Sequence, residues 1–433
     1  MSFKHQAYFL LTILVSIQIS FVLFSQSVSA NPWIQAPDFE SNRFFISDKY
    51  LHSGFTLNNE GALAVNKNYV YIVHRTGEIQ ILNVESEEMI QSVTSVPFQD
   101  FEQREFGERG LPGVKGAFFD SSRKTLFVSS TVIRNHCAFL GVYSLPVSNF
   151  TTIGTAKLIF LTPTCAPIPV LDDATGKITP TNRQKQPNIS QAGGRVFLNN
   201  KGRLILTVGN FGDDWRSRKV LDIQRKSDND LFGKIIELKI LGKNKFATHQ
   251  VIATGVRNPS GLTVLKNSNR VIGVENGPEG GDELNEIIPN KNYGWPYVSL
   301  GHRYSDEDRK YSTGTLPPYD QALTYKDSIP PIYSWIPSIA PSNLVELPKN
   351  LSLNISSVDE LLMGTYKDLA LHLLQIRGNS LLSDERIYLG YRIRDLNFTL
   401  NKTLVILDDN GNIHLLNFNL RINNEAVYDA DLN

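Results

Sequence analysis

Short runs of alternating apolar and polar residues, each broken by a turn, recur along the chain after residue 54. Two clear copies run from Tyr69 to Leu82 and from Leu404 to Leu416, with hairpin-turn signals at Thr76-Gly77 and Asn410-Gly411. Looser copies begin at four further positions: Leu126, Leu204, Val271 and Leu361. Alternation with a period of two is typical of half-buried strands, and helical periodicity is weak throughout. The pattern therefore predicts an all-β fold.

The six copies follow one another at blade-sized or longer spacing, which indicates radial repetition. A further strand precedes most copies, for example Gly194–Leu198 or Gly261–Leu265, so each unit is expected to hold three or four strands. A lone four-stranded sheet exposes apolar faces, and stacking such sheets around an axis covers them. We therefore expect a six-bladed β-propeller, with a large sandwich or two β-domains as the alternative. Long inserts between units are expected to cover one mouth of the propeller.

The first thirty residues differ in composition from the rest. An apolar run from Ala7 to Phe24 follows a basic residue and precedes small residues that end at Ala30. This layout predicts a signal peptide, residues 1–30, and a single propeller domain, residues 31–433, secreted or periplasmic. An uncleaved membrane anchor is the alternative, because an 18-residue run lies at the short limit of a bilayer span. No other stretch is as long and apolar, so no membrane span is expected after cleavage.

Charge and cysteine content narrow the function classes. The 433 residues include 43 basic and 43 acidic side chains, and this balance argues against a dedicated nucleic-acid binder. Cys137 and Cys165 are the two cysteines, and export would allow them to form a disulfide. Two buried free thiols are the alternative. The sequence has no Cys-x-x-Cys pair, so nothing supports a zinc ribbon or a thioredoxin-type site.

Six motifs follow one another in the second half of the chain. They are Gly255-Val-Arg-Asn-Pro-Ser-Gly261, Glu275-Asn-Gly-Pro-Glu-Gly-Gly-Asp-Glu-Leu-Asn285, Asn292-Tyr-Gly-Trp-Pro296, Pro337-Ser-Ile-Ala-Pro-Ser342, and Gly364-Thr-Tyr-Lys367 followed by Tyr391-Arg-Ile-Arg-Asp395. In this order the motifs closely resemble the soluble PQQ-dependent sugar dehydrogenases, the glucose/sorbosone dehydrogenase family. The resemblance covers most of the mature chain. It implies a six-bladed propeller that oxidises a sugar or another alcohol by hydride transfer to the quinone, with a separate electron acceptor.

Pyrroloquinoline quinone (PQQ) is a planar tricarboxylate, and arginine suits the recognition of planar carboxylates. The resemblance implies six cofactor-contacting positions: Glu108, Arg257, Asn258, Lys367, Arg392 and Arg394. Arg392 and Arg394 are two residues apart on a predicted strand, so both are expected to point to one face. From the residues alone, solvated strand charges are the alternative interpretation.

The resemblance also implies a calcium ion, held by the backbone carbonyls of Gly277 and Pro278 and bridging to the quinone. Calcium prefers oxygen ligands, which suits carbonyls and cofactor oxygens. Asp282 and Glu283 could bind a further calcium ion or cap the next segment, and both interpretations are open. Trp295 could belong either to the core or to the wall of the pocket.

The chain departs from the family where the chemistry needs a base. The resemblance places Gln191 at the position of the general base, a histidine, and Asn210 at the position of the aspartate that orients it. Neither amide can accept a proton near neutral pH. No histidine lies between residues 137 and 248, so a shift in alignment does not restore the base. Three other residues are candidate surrogates: Asp213, Asp214 and His302.

Two functions follow from these observations. The first is an exported quinoprotein oxidoreductase that uses PQQ and calcium, with an altered base. The second is a non-catalytic propeller that binds a cofactor or a carbohydrate, as the Gln191/Asn210 pair suggests.

Overall fold

The computed structural model describes residues 32–54, 61–97, 112–168, 188–212, 230–241, 246–296, 298–301 and 328–421. Within these ranges the chain is built of β-strands and one short 3₁₀ helix, Ile189–Gln191. Five predictions concern residues outside the described ranges: the signal peptide 1–30, Glu108, Asp213, Asp214 and His302.

The described residues form six antiparallel sheets, which are the six blades I to VI. Blades I to III contain, from the inner strand outward, Ala62–Asn66, Tyr69–Val73, Ile79–Asn83 and Glu88–Gln91 (I); Val114–Asp120, Thr125–Arg134 and Cys137–Ser148, with Thr152–Ile153, Lys157–Leu161 and Ala166–Pro167 on the last of these (II); and Gly193–Leu198, Leu204–Val208, Lys234–Lys239 and Thr248–Thr254, with Lys291–Asn292 added in parallel (III).

Blades IV to VI follow the same order from the inner strand outward. They contain Pro259–Val264, Val271–Glu275, Asp282–Glu286 and Tyr333–Trp335 (IV); Pro341–Glu346, Asp359–Thr365, Ala370–Arg377 and Ser380–Tyr388 (V); and Ile393–Phe398, Leu404–Asp408, Asn412–Leu420 and Phe44–His52, with Ile34–Gln35 and Phe39–Glu40 on the last of these (VI).

The six inner strands contact one another in a closed ring, I to VI and back to I. The predicted six-bladed β-propeller is therefore confirmed. The N-terminal strand Phe44–His52 closes the ring. It pairs antiparallel with Asn412–Leu420 and is the outer strand of blade VI. The recurring sequence pattern did not predict this strand, because the pattern begins only after residue 54.

Each of the six sequence copies marks the second strand of a blade. This strand lies between two neighbours in its own sheet and is covered on both faces by adjacent blades. Every residue of Leu204–Val208 and of Leu404–Asp408 is buried. The strands predicted upstream, Gly194–Leu198 and Gly261–Leu265, correspond to the inner strands Gly193–Leu198 and Pro259–Val264. The strand with the clearest apolar run in the sequence is therefore the one that is most completely buried in the structure.

Cys137 and Cys165 form a disulfide, with their Cα atoms 5.5 Å apart. The bond ties the start of the third strand of blade II to the residue before the short strand Ala166–Pro167. Of the two alternatives for the cysteines, the structure therefore supports the bridge. As for the membrane, the described ranges contain no helix with the length and apolarity needed to cross a bilayer.

Candidate functional site

The inner strands all begin at one end of the propeller, which we call the upper face. Because the strands within a blade are antiparallel, the turn between the second and third strands returns to the same end. The segments that lead into inner strands and the turns between second and third strands therefore meet at the upper face. These segments carry eight of the predicted site residues in the described ranges, and Arg394 follows as the second residue of an inner strand: the eight are Gln191, Asn210, Arg257, Asn258, Gly277, Pro278, Lys367 and Arg392.

A buried ion pair occupies the axis beneath this face. Arg195 donates to Asp395, with Nη1 and Oδ2 2.7 Å apart, and both side chains are almost fully buried. The same guanidinium donates to the carbonyl of Ser260 (2.5 Å) and to that of Ser342 (3.3 Å). Asp395 also accepts the backbone N–H of Leu63 at 2.8 Å. This pair joins inner strands of five blades, and sequence reasoning did not single out either residue as functional.

Arg394, a predicted cofactor contact, is also buried near the axis. Its Nε donates to the carbonyl of Gly61 (2.8 Å) and its Nη2 to that of Lys115 (2.9 Å), which ties blade VI to blades I and II. Its Nη1 donates to the phenol oxygen of Tyr366 in blade V. In this arrangement the guanidinium fixes the walls of the site and orients Tyr366.

Arg392 reaches the surface just before the inner strand of blade VI. Its side chain is 45% exposed and its Nε donates to Asp409 at 2.9 Å. Its guanidinium lies over the ring of Tyr366, 5.1 Å from the centroid. The two arginines therefore converge on Tyr366, whose pKa is raised by burial. Lys367, the next residue, is exposed.

Tyr366 is a site residue that sequence reasoning missed. It stands inside the Gly364-Thr-Tyr-Lys367 motif, but a tyrosine in a turn carries no charge to mark it. Its position between Arg392 and Arg394 becomes visible only when blades V and VI are side by side.

Arg257 connects Asn210 with Gly277, one of the two predicted calcium ligands. Its Nη1 donates to the carbonyls of Asn276 (3.0 Å) and Gly277 (2.7 Å). Its own carbonyl accepts the N–H of Asn210 at 2.9 Å. The guanidinium lies over Trp295, 5.3 Å from the ring centroid, and both residues are buried. Trp295 is therefore part of the packed floor of this region.

Asp282 caps two backbone segments. One carboxylate oxygen accepts the N–H of Gly277 at 2.9 Å. The other accepts the hydroxyl of Ser338 (2.7 Å) and the N–H groups of Ile339 (2.9 Å) and Ala340 (2.8 Å). With four donors on its two oxygens, this carboxylate caps both segments, as one of the two interpretations expected.

Glu275 and Glu283 form a second acidic feature beside Arg257. Both are buried, and the amide of Asn285 donates to the two carboxylates at 3.3 and 3.1 Å. Burial raises the pKa of Glu275 to about 7, and burial together with the nearby Glu275 raises the pKa of Glu283 to about 8. A cavity of ≈ 10 Å³ adjoins both carboxylates, enough for one water or one ion. Clusters of three or more His, Cys, Asp or Glu side chains suited to a metal do not occur in the described ranges.

The two positions of the missing base dyad lie side by side. The carbonyl of Gln191 accepts the N–H of Phe211 at 3.0 Å and that of Ala192 accepts the N–H of Gly209 at 2.8 Å, so the backbone on either side of Asn210 is held against Gln191 and Ala192. Asn210 is buried and its Oδ1 accepts the N–H of Gly212 at 3.0 Å. The side-chain oxygen Oε1 of Gln191 is buried and has no hydrogen-bond donor within the described part of the chain. Both positions therefore hold amides, which cannot take up a proton near neutral pH.

Comparison with known proteins agrees with this geometry. The aldose sugar dehydrogenase YliI of Escherichia coli is 28% identical over 265 residues, which cover 57% of this chain and 66% of that protein. The crystal structure of the soluble aldose sugar dehydrogenase of E. coli in the apo form matches with a TM-score of 0.62 and 21% identity, over 87% of this chain and 100% of that one. The PQQ-bound aldose sugar dehydrogenase of Streptomyces coelicolor matches with a TM-score of 0.56 and 18% identity, over 86% and 98%.

At these identities the two solved structures show a shared propeller fold. The sequence evidence is more specific, because the family model for glucose/sorbosone dehydrogenase matches residues 174–417, more than half of the 433 residues. That span includes the inner strands of four of the six blades, III to VI, together with the upper-face turns just described. The chain therefore belongs to the glucose/sorbosone dehydrogenase family.

Proposed function

We propose that the protein is an exported, PQQ-dependent oxidoreductase that acts on a sugar or another alcohol. The observation that carries the proposal is the pair of cations at the upper face: the guanidinium of Arg392 lies over the ring of Tyr366, and exposed Lys367 is the next residue in the chain. Two cations next to an aromatic ring suit a flat, polyanionic ligand. Family membership supports the same ligand class.

The residues present fit the quinone as an anion. Lys367 and Arg392 would meet its carboxylates, and Asn258, at the head of blade IV, would add a neutral contact. Arg394 and Arg257 would act from below, since both already hold backbone carbonyls of the site. When bound, PQQ supplies a two-electron acceptor for a hydride from the substrate carbon, and the electrons pass on to a separate acceptor.

Calcium has two candidate positions. The Gly277 carbonyl accepts one hydrogen bond from Arg257, and a carbonyl oxygen has a second lone pair that a hard cation can use, as can the neighbouring carbonyl of Pro278. The Glu275/Glu283 pair beside the small cavity offers two further carboxylates. Burial makes these carboxyls hold their protons to near-neutral pH, so a cation there would replace protons.

The base position limits what the site can do. The amide of Gln191 cannot remove a proton from a substrate hydroxyl near neutral pH, and its Oε1 is buried. This observation favours a second candidate function, a propeller that binds a cofactor or carbohydrate without turnover.

One reconstitution experiment tests both functions. The protein is loaded with PQQ and calcium, quinone binding is measured by calorimetry, and dye reduction is measured with a panel of aldoses and alcohols. Binding with turnover supports the oxidoreductase, and binding without turnover supports the second function. Absence of quinone binding with calcium present contradicts the proposed cofactor.

Export is proposed from the first thirty residues, and a secreted or periplasmic location follows from it. N-terminal sequencing of exported protein is expected to begin at Asn31. A chain that retains Met1 would support the membrane-anchor alternative.

A further inference from the structure

A buried histidine occupies the same position in blades V and VI. His372 and His414 are each the third residue of the third strand of their blade. Each lies between an aspartate near the upper-face turn and an aspartate on the outer strand. In both blades the outer aspartate stands two residues before the cross-strand partner of the histidine, which is Arg386 in blade V and Tyr50 in blade VI.

In blade V the histidine contacts both carboxylates at hydrogen-bond distance. Nδ1 of His372 is 2.7 Å from Oδ1 of Asp384, and Nε2 is 3.0 Å from Oδ2 of Asp368. The ring is buried. Asp384 also accepts the indole N–H of Trp335 from blade IV at 2.9 Å, and Asp368 accepts Nε of Arg386 at 2.6 Å. The outer aspartate is thus anchored, and the histidine connects it to the turn.

Blade VI repeats the arrangement with the same ring atoms. Nδ1 of His414 is 2.9 Å from Oδ2 of the outer-strand Asp48, and Nε2 is 3.5 Å from Oδ2 of Asp408. The ring stacks on Tyr391 with centroids 4.0 Å apart. Asp408 also accepts the N–H of Asn412 at 2.7 Å, which fixes the turn.

Both turns carry a group that belongs to the proposed quinone site. Asp368 directly follows Lys367. Asp408 directly precedes Asp409, the carboxylate that holds Arg392. The turn aspartate that each histidine contacts is therefore adjacent in sequence either to a proposed quinone-binding cation or to the carboxylate that pairs with one.

We propose that His372 and His414 are positioning residues, which brace the two turns so that Lys367 and Arg392 face one ligand. Both cations reach the surface on long, rotatable side chains, and fixing the backbone beneath them lowers the entropy lost when an anion binds. The inference rests on the proposed function, because it concerns the affinity of the site for the quinone.

Two replacements of His372 separate positioning from simple packing. The amide nitrogen of glutamine lies about where Nε2 of histidine lies, so His372→Gln keeps a donor for Asp368. The amide nitrogen of asparagine matches Nδ1, so His372→Asn keeps the hydrogen bond to Asp384 and loses the one to Asp368 in the turn. Calorimetry with PQQ and calcium is expected to show near wild-type affinity for the glutamine variant. The asparagine variant is expected to bind on the order of tenfold more weakly, as when outer partners of a ligating side chain are removed.

A double mutant links the effect to the cation. In a Lys367→Gln background, His372→Asn should cause no further loss of PQQ affinity, since the brace acts through Lys367. His249→Asn, on the outer strand of blade III, is the control and should bind like the wild type.

If His372→Asn does not fold, a second variant tests the same turn. Arg386→Gln removes the other side chain that contacts Asp368, and Arg386 is 48% exposed. It should weaken binding about threefold, again only when Lys367 is present.

The outcomes distinguish this inference from the function on which it rests. No quinone binding by the wild type overturns both. Wild-type binding with equal affinity in the glutamine and asparagine variants, or a full loss that persists in the Lys367→Gln background, overturns the positioning role alone.

Discussion

Arg195 and Asp395 lie 200 residues apart in sequence and meet at 2.7 Å on the axis of the propeller. The pair joins the inner strand of blade III to that of blade VI, so it forms only when the ring is closed. It also lies directly beneath Arg394, whose carbonyl accepts Nη2 of Arg195 at 3.1 Å. The stability of the ring and the shape of the proposed site thus depend on the same contact.

Asp395→Asn is expected to lower the free energy of unfolding by about 3–5 kcal/mol, because it leaves the buried guanidinium of Arg195 without its counter-charge. Denaturant titration measures the loss. The control is Lys266→Gln, which removes an ion pair whose lysine is 84% exposed and should cost less than about 1 kcal/mol. Equal losses in the two variants would contradict a special role for the axial pair.

Lys367→Gln and Arg392→Gln should each weaken PQQ binding roughly tenfold, the effect of losing one charge-assisted hydrogen bond. The wild-type affinity should fall as salt is added, and the variants should show a shallower salt dependence. Lys349→Gln is the control, because Lys349 is exposed in the loop after the inner strand of blade V, at the opposite end from the site. Calorimetry at two ionic strengths checks the prediction, and similar effects at all three lysine or arginine positions would refute it.

The base position gives a prediction about turnover. Wild-type dye reduction with aldoses should be slow even with quinone bound, since general-base assistance contributes roughly two to four powers of ten. Gln191→His by itself should help little, because Asn210 does not hold the imidazole as a carboxylate would. Gln191→His combined with Asn210→Asp should increase the rate by more than the two single changes together. Fast wild-type turnover that survives Gln191→Ala would show that another group takes the proton.

The Glu275/Glu283 pair predicts a pH-dependent effect of calcium. Both pKa values are raised by burial, to about 7 and about 8, so at pH 6 protons compete with the cation for the carboxylates. The increase in melting temperature on adding calcium should be larger at pH 8.5 than at pH 6. Glu283→Gln should reduce this increase, and Glu279→Gln, an exposed carboxylate in the same segment, should not. A calcium effect that is the same at both pH values would argue against this position.

His414 predicts a pH dependence of stability. Burial lowers the pKa of His414, but hydrogen bonds to Asp408 and Asp48 outweigh it and raise the pKa above its usual value of 6.5. Because the folded pKa is raised, the contribution is complete below pH 6.5 and is lost as pH rises through the folded value. The difference in unfolding free energy between wild type and His414→Gln should therefore be largest near pH 6 and smallest near pH 9. Denaturant titrations across this range check the trend, and a difference that is the same at pH 6 and pH 9 would contradict it.

The sequence by itself determined the blade count. Each second strand is covered on both faces, so its apolar run, as at Leu204–Val208, is visible without tertiary information. The order of the motifs also indicated the family, and the topology then explains why they meet, since inner-strand starts and second turns share one end of a propeller. The absence of a histidine at Gln191 is likewise a fact of sequence, because it depends only on residue identity.

Other features depended on the closed ring. The strand Phe44–His52 has no repeat signal of its own, and its place in blade VI follows from pairing with Asn412–Leu420 at the far end of the chain. The sequence also could not divide the four predicted cations into buried and exposed, since charge alone does not report burial. Arg394 and Arg257 hold backbone carbonyls under the face, whereas Lys367 and Arg392 reach its surface. Arg394 is buried because closure of the ring places the carbonyls of Gly61 and Lys115, from blades I and II, against blade VI.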